Sequence, residues 1–417
     1  MPSRGISPRR VYFEPAGRIH SAHRELMRHP PRGYEFVTGG GAWDRLTGVP
    51  TGSDLIIHNL PVLLSKLLPV PLVKAWLESV VTKPPPGAAL TYAYNHPVFR
   101  REPWVVNVEG AHMLAGFEVK QLRRYRGTIE RLLASPYCRR IITWCEGARR
   151  SILANLDGRG FAHKIELVPI AVHAKPFTKV YGEDRVRLLF VGSANAPRGA
   201  VSSRLPGTYL YDFYQKGGQE ALETFARLKP GHPRLEMVMR AAVPPELKRK
   251  YGSLPGLRIL EEVLPWQRLQ EEFQAADIFL FPSHQVPPWG VILDAMSYEL
   301  PVVTTDVYSN PELVEHGKTG IVVAASAAVP YYEEGDTWIP SVVTGRRREF
   351  NRAIRTVDPQ VVDRLAAAVA GLIEDADRRR ALGRAARREV ESGRHSITRR
   401  NEKLKKIFDE ATNGADV

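Results

Sequence analysis

The sequence predicts an α/β protein of two Rossmann-like domains, on three observations. Its 417 residues exceed the roughly 250–300 at which single cores stop growing, so the chain divides into two domains. Both halves alternate short apolar runs with amphipathic segments, the pattern of parallel sheets covered by helices. The charge balance also changes near residue 180: Lys and Arg number 26 against 13 Asp and Glu in residues 1–180, but 33 against 32 thereafter.

In the first half the strand candidates are 10–15, 54–58, 89–94, 104–109, 140–143 and 164–168. Helical spacing covers 117–134 and 146–156. In the second half, strands are expected at 186–191, 235–239, 257–260, 278–281, 301–304 and 320–323. Residues 169–183 carry prolines and charges without a clear period, which suits a linker. Two long irregular stretches, 193–211 and 324–358, have lengths usual for functional loops. The C-terminal stretch 359–412 is helical in composition, rich in Ala, Leu and Arg.

Hydrophobic content of 43% with 25% charged residues describes a globular chain, not a disordered or membrane-spanning one. Cys138 and Cys145 are too few for a disulfide framework or a zinc site and read as thiols in a reducing compartment. The basic N-terminus MPSRGISPRR is followed by no apolar core of a secretory signal. No stretch reaches the roughly 18 apolar residues of a spanning helix. Cytoplasm is the expected location.

The basic first half suits an anionic membrane surface or a phosphorylated acceptor, or is a solvated arginine-rich face. Its Lys and Arg are scattered, without aromatic interleaving, which argues against nucleic acid. The segment 61–81, PVLLSKLLPVPLVKAWLESVV, is broken by Pro69 and Pro71. It reads either as a helix packed on the sheet or as an interfacial patch at the inner membrane face.

In an open α/β sheet, ligands bind beyond the carboxyl ends of the strands, where helix N-termini offer free N–H groups to phosphates. The apolar run ending at Phe281 leads through Pro282-Ser283-His284-Gln285 and Pro287-Pro288-Trp289-Gly290 into a helix. Gly290 and Val291 then stand at its N-terminus, with Asp294 one turn in. A carboxylate there accepts hydrogen bonds from vicinal ribose hydroxyls, or simply stabilises the helix dipole.

The strings AADIFLFPS (275–283), WGVILDAMSYELPVVTTD (289–306) and NPELVEHGKTGIVV (310–323) resemble the C-terminal domain of family 4 (group 1) glycosyltransferases. RLLFVGS (187–193) is similar to that domain's opening strand and turn, and KGGQEALETFARL (216–228) to the helix carrying its lysine. DRRRALGRAARREVESGRHSITRRNEKLKKIFDEA (377–411) resembles its terminal helices. The resemblance spans roughly 185–411; the first half shares only the general layout. It implies the GT-B fold: two facing Rossmann-like α/β/α domains, with the C-terminal helix crossing back to the first. The expected boundaries are a basic acceptor-side domain at 1–178, a nucleotide-sugar domain at 184–395 and the returning helix at 396–417.

The activity implied is retaining transfer of a sugar from a nucleoside diphosphate sugar, with no metal and no cofactor. Catalysis then rests on stabilising the departing diphosphate and placing the acceptor. Carried over by position, Lys216 contacts the diphosphate and Asp294 the ribose, and the loop 284–291 holds sugar and phosphates. Donor-binding candidates are Ser193, Lys216, His284, Gln285, Trp289, Gly290, Val291 and Asp294. Gly17 and Arg18, in VYFEPAGRIH (11–20), form either a phosphate-facing turn or a surface turn. Glu109 and His112, in WVVNVEGAHMLAG (104–116), fall where the family carries polar groups against the transferred sugar. With Lys216 they are the catalytic candidates; for Glu109 a salt bridge to an arginine is the other reading.

Two departures qualify the resemblance. The family's Glu-x7-Glu pair keeps its second member as Asp294, but the first falls on Val286, which leaves His284 or Gln285 to meet a sugar hydroxyl. The family arginine after the opening strand is Ser193, with Arg198 or Arg204 as possible replacements. They leave open a nucleotide-sugar-binding pseudoenzyme or partner subunit, and, with less support, an epimerase. The base (uridine or guanosine among the options), the sugar, the acceptor and the role of 324–358 are not readable.

Overall fold

The computed structural model describes residues 7–14, 21–38, 72–73, 75–76, 79, 83–182, 185–193, 213–284, 289–333 and 335–413. The chain divides into two compact units. One comprises Met1–Ala171, Glu333–Ile339 and Ile397–Val417, the other Val172–Tyr332 and Pro340–Ser396.

The first unit is a parallel sheet in the order β2-β1-β3-β4-β5-β6. Its strands are β1 (Arg9–Glu14), β2 (Tyr34–Val37), β3 (Ala88–Tyr94), β4 (Trp104–Asn107), β5 (Cys138–Thr143) and β6 (Ile165–Leu167). Every residue of β4 is buried, as a strand covered on both faces requires. The helices are α1 (Ser21–Arg28), α2 (Val119–Arg124), α3 (Arg126–Ala134) and α4 (Glu146–Asn155). The single helix expected over 117–134 is in fact two. It breaks at Tyr125 (φ −108, ψ 18), just ahead of Gly127, a poor helix former.

Ile397–Asn413 forms the terminal helix of this unit. Leu404, Ile407, Phe408 and Ala411 follow helical spacing and pack into the core with Val11, Phe13, Leu90 and Tyr92. Phe408 meets Tyr34, Phe36 and Tyr92 edge-on. Its full burial contributes about 1.5–3 kcal/mol. Neither α1 nor β2 was expected from the sequence. SAHRELMR is short and polar overall, and β2 has only four residues. The strand expected at 54–58 lies outside the described residues. Of the apolar segment 61–81, Leu72, Ala75 and Ser79 are buried, while Val73 and Trp76 are 44% and 48% exposed. Both readings of that segment thus keep a face.

The second unit is also a parallel sheet, ordered β12-β11-β10-β7-β8-β9. Its strands are β7 (Val186–Val191), β8 (Leu235–Arg240), β9 (Leu257–Leu260), β10 (Ile278–Phe281), β11 (Val302–Thr305) and β12 (Gly320–Val323). Among its helices are α5 (Gly218–Leu228), α6 (Pro245–Tyr251), α7 (Trp266–Ala275) and α8 (Trp289–Ser297). The four residues of β10 are fully buried; Phe281 stacks on Phe279 and Phe190 at 5.5 and 5.7 Å. A rigid aromatic floor thus leads to the strand's carboxyl end.

The irregular stretch 324–358 has structure of its own. An antiparallel bridge joins Tyr332 to Pro340, and a helix follows at Arg347–Ala353. Glu333–Ile339, between them, belongs to the first unit. There Glu333 pairs with Arg123 at 3.0 Å, and the Thr337 carbonyl accepts from the Asn155 amide at 2.8 Å. Among the described residues no helix is long and apolar enough to cross a membrane.

Candidate functional site

All strands of the second unit run parallel, so their carboxyl ends share one edge. There β7 runs into Gly192-Ser193 and β10 into Pro282-Ser283-His284. The turn Gln215–Gly218 is pressed against the exit of β10. Gly217 adopts φ +77, and a Cβ on it would collide with the Pro282 carbonyl. Glycine alone satisfies both demands. The His284 N–H donates to the Gln215 carbonyl at 2.8 Å. Lys216, fixed by that turn, places its Nζ 3.1 Å from Ser193 Oγ.

His284 is buried in a line of polar groups. Its Nε2 lies 3.0 Å from Glu220 Oε1, with both side chains 2% exposed. This close contact is not an aligned hydrogen bond. Its Nδ1 lies 3.0 Å from the Tyr331 hydroxyl, and the two rings stack at 12°. Burial raises the Tyr331 hydroxyl well above the usual phenol range. Glu220 sits in the first turn of α5, where the helix dipole favours a carboxylate. Both ring nitrogens of His284 therefore face protein groups, which suits it to anchor the strand exit to the lysine turn. Thr305 Oγ1 donates to the Ser283 carbonyl at 2.5 Å from the neighbouring strand.

Helix α8 begins at Trp289, so Gly290 and Val291 occupy its first turn, where N–H groups lack intrahelical partners. A side chain at Gly290 would meet no described atom within 4 Å. Asp294 stands one turn further in, with Lys175 Nζ 3.6 Å from Oδ1. Lys175 also lies over the Trp266 ring at 5.6 Å. Gly17, Arg18, Gln285, Val286, the Trp289 side chain, Arg198 and Arg204 lie outside what the structure describes.

In the first unit, β4 ends at Asn107 and the chain turns through Glu109 into the short 3-10 segment Ala111–Ala115. Asn95 Oδ1 accepts from the Glu109 N–H at 3.0 Å, and the Tyr94 hydroxyl donates to the Glu109 carboxylate. Burial raises the Glu109 carboxyl above its ordinary range, while the Tyr94 hydrogen bond opposes it. His112 is 2% exposed. Its Nδ1 has no hydrogen-bond partner among the described residues, and burial lowers it to about 4. Beside it Phe117 is half-exposed at φ +70, a conformation a bulky residue adopts only under external constraint. The neutral forms of both Glu109 and His112 are favoured.

Three participants escaped the sequence reading: Glu220, Tyr331 and Lys175. The first two are joined to His284 only by folding, across 64 and 47 positions. Lys175 lay in a segment read as linker.

Residues 205–333 match the family model described as "Glycosyl transferases group 1". An alpha-maltose-1-phosphate synthase of Mycolicibacterium smegmatis is 30% identical over 165 residues, 37% of this chain and 35% of that protein. The match thus spans about a third of this curated relative. Among solved structures, the Anabaena protein HepE in complex with UDP and glucose aligns with a TM-score of 0.55 at 14% identity, over 96% of this chain and 99% of that one. A glycosyltransferase from Rickettsia africae aligns with a TM-score of 0.54 at 11% identity, over 97% and 98%. The chain has the GT-B fold, and the family match supports a glycosyltransferase.

Proposed function

We propose that this chain transfers a sugar from a nucleoside diphosphate sugar to an acceptor, with retention at the anomeric carbon and without a metal or cofactor. The observation that carries the reading is the Lys216 turn. A glycine of positive φ seats it against the exit of β10, its lysine points to Ser193, and the turn and the β10 exit both lie within the matched residues 205–333. A cation held there before the donor arrives stabilises charge developing on a departing diphosphate without reorganising. The first turn of α8 adds N–H groups and a partial positive charge. Asp294 accepts from ribose hydroxyls, with Lys175 exchanging its contact when the nucleoside enters. HepE has been seen with UDP and glucose, in keeping with such a donor.

In this reading the first unit handles the acceptor. Burial favours the neutral carboxyl of Glu109, which in that form donates a hydrogen bond to an acceptor oxygen, and neutral His112 accepts one. The excess positive charge of residues 1–180, with Val73 and Trp76 exposed, favours an anionic or lipid-linked acceptor at the inner membrane face. Sedimentation with anionic vesicles at low salt tests that step; a protein left wholly in the supernatant contradicts it.

The pseudoenzyme reading retains one observation in its favour. His284, a candidate to replace the carboxylate missing at Val286, is engaged by Glu220 and Tyr331. Turnover separates the two. Slow hydrolysis of a nucleoside diphosphate sugar, with the sugar first released in the donor's anomeric form by NMR, supports a retaining enzyme. Tight nucleotide binding without hydrolysis or transfer supports the pseudoenzyme.

A further inference from the structure

The resemblance places Lys216 on the donor diphosphate, and Ser193 stands where the resembled family carries an arginine. The sheet register brings another arginine to that strand end. Arg240, last residue of β8, pairs across the sheet with Val191, last residue of β7. Its Nη1 donates to the Gly192 carbonyl at 2.8 Å, one residue before the serine that meets Lys216. Backbone bonds close the corner: Gly192 N–H to the Arg240 carbonyl and Ala242 N–H to the Ser193 carbonyl, each 2.8 Å.

This partly buried guanidinium lacks the partners that a cation withdrawn from water ordinarily has. Among the described residues no carboxylate pairs with it, and its buried Nε has no hydrogen-bond partner. Burial holds it below the usual arginine range, with no carboxylate opposing that shift. An unpaired charge taken from water lowers stability. A planar fork with unused donors is also the geometry that grips phosphate oxygens.

We propose that Arg240 is a donor-binding residue which, together with Lys216, holds the diphosphate and supplies the positive charge absent at Ser193. This rests on the donor-site reading above and adds the residue that completes it. The bound diphosphate becomes the counter-charge of Arg240, so the cost of burying the cation is relieved when the donor arrives.

The test compares wild type, Arg240→Met, Arg240→Lys and Arg240→Met combined with Ser193→Arg. Calorimetry measures affinity for UDP, GDP and ADP against uridine, guanosine and adenosine. For whichever diphosphate the wild type binds, Arg240→Met should weaken it by roughly 10- to 100-fold, as for lost charge-assisted hydrogen bonds. The matching nucleoside should change less than about twofold. Arg240→Lys should fall between, and arginine at 193 should recover diphosphate affinity. The ligand-free melting temperature of Arg240→Met should hold or rise, because an unpaired buried charge has gone. An unchanged ratio of diphosphate to nucleoside affinity overturns the proposal. So does an equal loss of both with a lower melting temperature, which marks Arg240 as a clamp on Gly192. A wild type that binds no diphosphate contradicts the donor reading itself, a result distinct from either.

Discussion

Burial decides the protonation of His112, and that has a consequence measurable without any substrate. An unfolded histidine takes up a proton near pH 6.5, whereas folded His112 does so only at about 4. Between those values the unfolded chain binds more protons, so stability falls as pH drops from about 6.5 toward 4 and is indifferent to this group above. The loss is on the order of 3 kcal/mol. His112→Asn, which cannot titrate, should flatten the dependence of urea unfolding on pH in that window. An unchanged slope would place the acid sensitivity elsewhere. Glu109 and His112 were legible in the sequence because an apolar strand ends just before them. Their burial was not, since it depends on Tyr94, Ser151 and Phe117 arriving from other elements.

At the scale of elements, the turn before α5 concentrates the constraint. Gly217→Ala must hold φ +77 and press a methyl group onto the Pro282 carbonyl. The strain costs about 1–3 kcal/mol or is relieved by moving the turn, and Lys216 moves with it. The expected outcome is a folded second unit whose melting temperature and diphosphate affinity both fall. Full affinity in that variant would show that the lysine does not depend on the turn. Strands such as β10, with four fully buried apolar residues, announce themselves in the sequence, as do helices with a clear apolar stripe. The break at Tyr125 does not: local helical spacing continues through it, and the chain divides there without losing the Tyr125 N–H bond to Gln121. Helix α1 is short, and among its described side chains His23 and Leu26 are buried.

At the scale of the molecule, two six-stranded parallel sheets establish the GT-B fold. The alternation of apolar runs along the chain was enough to expect two such sheets. The return of the terminal helix to the first unit is explained by the stripe Leu404, Ile407, Phe408 and Ala411, whose partners Phe13 and Tyr92 lie more than 300 residues earlier. What the sequence left obscure is how charge is distributed around the donor edge. Ser193 looks like a loss until Arg240 is seen on the next strand, and 324–358 looks like an insertion until Tyr331 is seen on His284. The central claim, that the second unit binds a nucleoside diphosphate sugar, is tested most directly by thermal unfolding with UDP, GDP, ADP and their sugars. A ligand that binds only the folded state raises the melting temperature with its concentration. One nucleotide series should stabilise the wild type, and Asp294→Ala should abolish that shift. A wild type whose melting temperature no nucleotide moves would contradict the account.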